Sequence, residues 1–143
     1  MHFLNVNILA IAAAAVTAWI FGAIYYGVLG KVWIAALGET METLKAKNAG
    51  KSKAAMAMPF VLSFIAELIM AYVLYGLLVH INIWTARAGI ISGVICWAGF
   101  ILTTVAVNNA YPGRKVALTV IDAGHWLGVL VIIGAMLGWI GER

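Results

Sequence analysis

The chain has 143 residues, of which 65% are hydrophobic and 10% charged, with a formal net charge of +4. A soluble domain is nearer half apolar and a quarter charged, so this chain lacks the polar surface that a water-soluble fold needs, and lipid must be much of its solvent. The modest positive charge gathers mainly in one loop, which suits an anionic membrane surface and not nucleic acid.

The first apolar segment, Leu4–Leu29, exceeds the roughly 20 residues that cross a bilayer core. Small residues at Ala12–Ala15 and Thr17–Ala18 imitate a signal-peptide cleavage region. No Lys or Arg precedes them, however, and the apolar run continues through Trp19, Phe21 and Leu29, so a retained span is expected. Ala10, Ala14, Ala18 and Gly22 recur every four residues and offer a face for close helix packing.

The loop 30–59 carries Lys31, Lys45, Lys47, Lys51 and Lys53. Leu37, Met41 and Leu44 recur there at helical spacing among charged residues, and Asn48-Ala49-Gly50 supplies a stop signal. A short amphipathic helix is expected. It would either lie on the inner leaflet, with Lys45, Lys47, Lys51 and Lys53 near anionic headgroups, or serve as a solvated connector. Gly50-Lys51-Ser52 resembles the tail of a phosphate loop, but position 45 is lysine and no strand precedes it, so the match is chance.

Three further spans follow at Phe60–Ile81, Gly89–Ala110 and Val116–Ile140, with Pro59 expected in the first turn of the second. Transmembrane strands would alternate polar and apolar residues, and these do not. The expected fold is therefore all-α, one domain over 1–143 forming a four-helix transmembrane bundle. The third span carries Gly89 and Gly93, and the fourth Gly124/Gly128 and Gly134/Gly138, again at four-residue spacing. Lys31, Lys45, Lys47, Lys51, Lys53, Arg114 and Lys115 fall on one side, against Arg87 and Arg143 on the other. The positive-inside rule then puts both termini at the periplasm or exterior. Trp33, Trp84 and Trp139, near span ends, read as interfacial anchors.

Glu67, Asp122 and His125 lie within spans, where an ionisable group costs about 2.5–3.5 kcal/mol on insertion scales and faces a partner or cavity. Helical rise puts Glu67 roughly 12 Å from the lysine-rich boundary and His125 at a similar depth. Asp122 shares a helix face with His125. Tyr25, Tyr26, Thr103, Thr104 and Asn108 reach overlapping depths, while the opposite half of the bundle is nearly bare of polar groups. The expectation is a polar pocket open toward the cytoplasm, binding or passing a small solute, proton or cation. A Glu/His pair at one depth is suited to exchanging a proton near neutral pH. The same residues would alternatively serve packing alone, with Glu67 bonded to Tyr25 or Tyr26 and His125 capping the network.

Haem ligation is disfavoured because His2 and His80 belong at the far interface from His125. Glu67, Asp122 and His125 lack any standard metal-ligand spacing, and no cofactor is expected. Cys96 has no second cysteine to pair with. No nucleophile–base arrangement stands out, so an enzyme is the least favoured reading.

The chain resembles the uncharacterised bacterial membrane family known as domain of unknown function 1761. The similar pieces are Gly22-Ala23-Ile24-Tyr25-Tyr26, Gly30-Lys31-Val32-Trp33, Ala71-Tyr72-Val73-Leu74, Trp97-Ala98-Gly99-Phe100, Ile121-Asp122-Ala123-Gly124 and Gly134-Ala135. The family pattern has Trp-Tyr-Ser-Pro where this chain has Tyr25-Tyr26-Gly27-Val28, and tends to carry tyrosine at the place of His125. A relay role for His125 would therefore be peculiar to this chain. The resemblance implies a four-helix protein of the bacterial inner membrane without an established activity. It leaves open a homo-oligomer, or an accessory subunit or scaffold in a larger membrane complex.

Overall fold

The structure is a computed structural model that describes residues 6–142. His2, Leu4 and Arg143, which entered the sequence expectations, lie outside the described residues. Within them the chain is helical, in the order α1 (Ile8–Ala36), α2 (Met41–Asn48), α3 (Lys53–Ile81), α4 (Ala86–Cys96), a π-helical segment Trp97–Leu102, α5 (Thr103–Ala110) and α6 (Val116–Ile140). Four rods are long and apolar enough to span a membrane: α1, α3, the continuous run Ala86–Ala110, and α6. Leu9 and Phe100 are 84% and 73% exposed on the outside of the bundle. An outer surface of this kind needs an apolar solvent, so this is a multi-pass membrane protein.

Local chemistry sets the helix ends. The Asn7 side chain accepts from the Ala10 amide at 3.0 Å. Ser52 and Thr85 do the same for Ala55 and Ala88, and Thr40 closes a reciprocal cap with Thr43. Each satisfies an amide that the first helical turn leaves free. Gly50, at φ +89°, takes the left-handed turn that follows α2. The expected loop helix is present, with none of its residues buried.

Three boundaries depart from the hydropathy reading. α1 continues past Leu29 to Ala36, so Lys31 and Trp33 are helical. At about 1.5 Å per residue it is roughly 43 Å long, more than the hydrocarbon thickness, and its last turns run past the apolar core. α3 begins at Lys53, which leaves Pro59 inside the helix and not in its first turn. The Ser52 cap and the good helix formers of Lys53–Met58 extend it backward. The third span contains the π segment, which composition does not signal.

α6 is the central helix, in contact with α1, α3 and α4, while few residues of the third span are fully buried and its outer side is open. The glycine faces are used inside the molecule. A Cβ on Gly89 would overlap the Gly134 carbonyl, one on Gly93 the Leu130 carbonyl, and one on Gly138 the Thr85 carbonyl. Ala10, Ala14, Ala18 and Gly22 are buried in the same way on α1. Lipid competes for apolar surface, so this backbone proximity gains dispersion contacts that bulkier residues would forbid.

The two ends of the bundle differ. Away from the lysine-rich connection, the core is dry, built from Ala14, Leu74, Leu78, Ile133 and Leu137. Asn7 ties it shut, donating from its backbone to Tyr75 Oη at 3.2 Å and from Nδ2 to the Ile140 carbonyl at 3.3 Å. At the lysine-rich end, Ala36, Leu118 and Ile121 join α1 to α6, and Lys115 Nζ donates to the Ala35 carbonyl at 2.9 Å. Residues 53–62 of α3 are exposed throughout, so α3 is not gathered into that second cluster.

Candidate functional site

Between α1 and α3, in the half of the bundle nearer the lysine-rich connection, lies a cleft of about 570 Å³. That volume falls in the range of small-molecule sites. The α1 wall is a stripe at three- and four-residue spacing: Trp19, Ala23, Tyr26, Gly27, Gly30 and Ile34. The α3 wall is Pro59, Phe60, Ser63 and Glu67, and His125 enters from α6. Trp19 bridges the walls, its indole N–H donating to the Phe60 carbonyl at 3.1 Å and Ser63 Oγ at 3.2 Å.

Glu67 and His125, 1% and 5% exposed, are the buried ionisable groups of the chain's described residues, and both face this one cleft. Glu67 Oε2 and His125 Nδ1 have no hydrogen-bond partner. A buried polar atom left unsatisfied costs about 1–3 kcal/mol, so the two are unusual among native side chains. They are not an ion pair. Among the described residues the salt bridge is Lys47–Glu39, out in the loop. Direct proton exchange between Glu67 and His125 is therefore absent from this geometry.

The imidazole of His125 is held by rings and not by hydrogen bonds. It stacks on Phe21 with centroids 6.3 Å apart, lies 4.9 Å from Tyr26 and 5.6 Å from Tyr25. Gly22 makes room for it, since a Cβ there would come 2.8 Å from Nε2. The same α1–α6 seam fits Gly128 beneath the Phe21 ring and Gly124 beneath Tyr25 Oη.

Asp122 is engaged elsewhere than its neighbour. Its Oδ1 accepts from Tyr26 Oη at 2.9 Å and from Trp33 Nε1 at 3.0 Å. Tyr25 Oη donates to the Ile121 carbonyl at 2.9 Å. The bond from either tyrosine to Glu67 that the packing alternative offered does not form; their hydroxyls donate to Asp122 and the Ile121 carbonyl on α6 instead. Trp33 is correspondingly a hydrogen-bonded wall of the cleft rather than a free interfacial anchor.

Thr103, Thr104 and Asn108 are exposed and line no part of the cleft. Thr103 spends its hydroxyl on the Gly99 carbonyl of its own helix at 2.9 Å. Matched depth does not fix facing, and the π segment that precedes them interrupts the α-helical register. Trp97, in that segment, instead donates to the Ala123 carbonyl at 2.8 Å and anchors the span to α6 near the site. Lys45, Lys47, Lys51 and Lys53 are exposed in and beside α2, away from the cleft. Lys51 donates to Asn48 Oδ1, and the hydrogen bond from Lys47, with help from Thr43, holds the Glu39 carboxyl below its usual range.

The cleft residues that composition did not reveal are Trp19, Gly27, Gly30, Trp33 and Ser63. For those on α1 the signal was the stripe itself, small and aromatic residues on one face, which a search for charged groups passes over. Among the described residues no three His, Cys, Asp or Glu side chains gather as a metal site.

No curated protein and no solved structure matches the chain. A family model does, described as protein of unknown function (DUF1761), over residues 9–138. Those residues include every helix wall of the cleft, and with nearly its whole length matched the chain belongs to the DUF1761 family.

Proposed function

We propose that this protein binds a small solute in the α1–α3 cleft, and that the cleft is a station for moving it toward or from the lysine-rich side of the membrane. The observation that carries this is the pairing of a preformed cavity with two buried lining side chains, Glu67 and His125, each with a buried polar atom that lacks a partner within the chain. A bound solute supplies those partners, and the aromatic walls supply its apolar contacts. The lysine-rich end belongs at the cytoplasm by the positive-inside rule, with both termini outside and Lys45, Lys47, Lys51 and Lys53 near anionic headgroups of the bacterial inner membrane.

Gly27 gives the sharpest test, because a Cβ there meets nothing within 4 Å while the residue lines the cleft. Gly27→Leu should fold normally and fill the cavity. Native mass spectrometry after mild extraction should show a small-molecule adduct on the wild type that the variant lacks. An adduct of equal occupancy on both would move binding away from the cleft. For transport, Glu67→Gln should alter uptake into reconstituted vesicles, and unchanged flux with intact folding would leave binding without passage.

A second reading rests on the exposed outer side of the third span, which includes Ile95 and Phe100. A subunit of a larger complex would cover that face with foreign helices, and reproducible co-purification of another membrane protein would favour it.

A further inference from the structure

We infer that the occupant of the cleft is an organic cation, an ammonium group on an apolar body; this identification rests on the solute-binding reading above. Three features of the lining point the same way. No lysine or arginine lines it, so a carboxylate, phosphate or sulfate would enter without a counter-charge. Its acid is Glu67, whose Oε2 is buried and unpartnered, the position that a cationic centre would complete. Four aromatic side chains, Trp19, Tyr26, Trp33 and Phe60, also line it, among small and aliphatic residues. Aromatic faces attract cations through their quadrupole, most strongly where water is excluded.

Asp122 reinforces this from behind the wall. It accepts the hydroxyl of Tyr26 and the indole N–H of Trp33 on one oxygen, so both rings carry a carboxylate at their donor edge. A donor bonded to an anion pushes electron density into its ring, and the ring face becomes a better cation acceptor. The same two bonds fix the orientation of the rings. His125 Nδ1 is buried without a hydrogen-bond partner, and the neutral imidazole adds no positive charge to the lining.

The probe pair is benzyltrimethylammonium and its uncharged carbon isostere neopentylbenzene, which share shape and differ in charge. Each is titrated by ligand-detected NMR into the full chain in phosphatidylcholine nanodiscs, with empty discs subtracted. Wild type should bind the cation at least tenfold more tightly than the isostere. Glu67→Gln should weaken the cation at least tenfold and leave the isostere unchanged, whereas Glu67→Asp should keep part of the preference. Equal affinity for both probes, or a cation affinity indifferent to Glu67→Gln, overturns the charge assignment. Should Glu67→Gln fail to fold, the wild-type comparison of the two probes decides alone. Equal saturable binding of both probes that Gly27→Leu abolishes would preserve the cleft while removing the cation. Saturable binding of neither probe removes the cation, and the adduct comparison on Gly27→Leu then judges the cleft separately.

Discussion

Gly22 lacks a side chain where the imidazole of His125 fills the space one would need. A Cβ would stand 2.8 Å from Nε2, in a seam where Phe21 and Tyr25 already pack against the ring. Gly22→Ala should therefore push His125 into the cleft or open the α1–α6 seam, at a cost of about 1–3 kcal/mol for overpacking. Unfolding of the purified protein in mixed detergent micelles would measure it, and Gly22→Ala combined with His125→Ala should recover part of the loss. Asp122 makes a different demand, since one of its oxygens serves two donors. Asp122→Ala strands Tyr26 Oη and Trp33 Nε1, and about 1–2 kcal/mol should be lost. A double-mutant cycle with Tyr26→Phe should show coupling, because each change removes the same bond.

Among the elements, the α4–α6 and α1–α3 contacts are built on opposite plans. α4 meets α6 backbone to backbone through Gly89, Gly93, Gly134 and Gly138, with no room for a methyl group. Gly89→Ala should separate the helices and destabilise the protein by roughly 2 kcal/mol or more. Gly76→Ala is the matched control on α3: its Cβ would meet nothing within 4 Å, and replacing glycine there should be neutral or stabilising by up to about 1 kcal/mol. Similar losses from both substitutions would disprove the close seam. The α1–α3 pair, in contrast, is bridged across a gap by Trp19. Trp19→Phe keeps a ring but removes the donor to Phe60 and Ser63, and it should loosen the cleft with little effect on the α4–α6 seam. Hydrogen exchange of the Ser63 region against that of Gly93 would separate the two.

At the scale of the whole molecule, an even number of spans puts the described ends of the chain on one side and α2 with the Tyr111–Gly113 turn on the other. The proposed orientation, from the lysine distribution, puts the latter side at the cytoplasm. With Cys96→Ala as background, a cysteine at Lys45 should resist a membrane-impermeant thiol reagent in intact cells and react after permeabilisation, while one at Asn82 should react at once. The reverse pattern would invert the protein and turn the cleft outward. The dry end pinned by Asn7 and the cleft beside α3 also make the two ends of the bundle unlike, and the proposed solute would sit in the half nearer the lysine-rich connection.

Solvent class, four helical spans, the glycine and alanine faces, the short loop helix and the burial of Glu67 and His125 follow from the chain itself. Each depends on local composition or on a period of three to four residues, and lipid leaves a backbone few alternatives. Which polar groups meet depended on tertiary structure. Asp122 and His125 sit on one helix, yet the first binds Tyr26 and Trp33 while the second faces the cleft, because α1 covers them differently. The π segment, invisible in hydropathy, accompanies the outward turn of Thr103, Thr104 and Asn108. Depth along a helix is additive in residue number, whereas facing depends on rotation and on neighbours, and only the packed bundle supplies those.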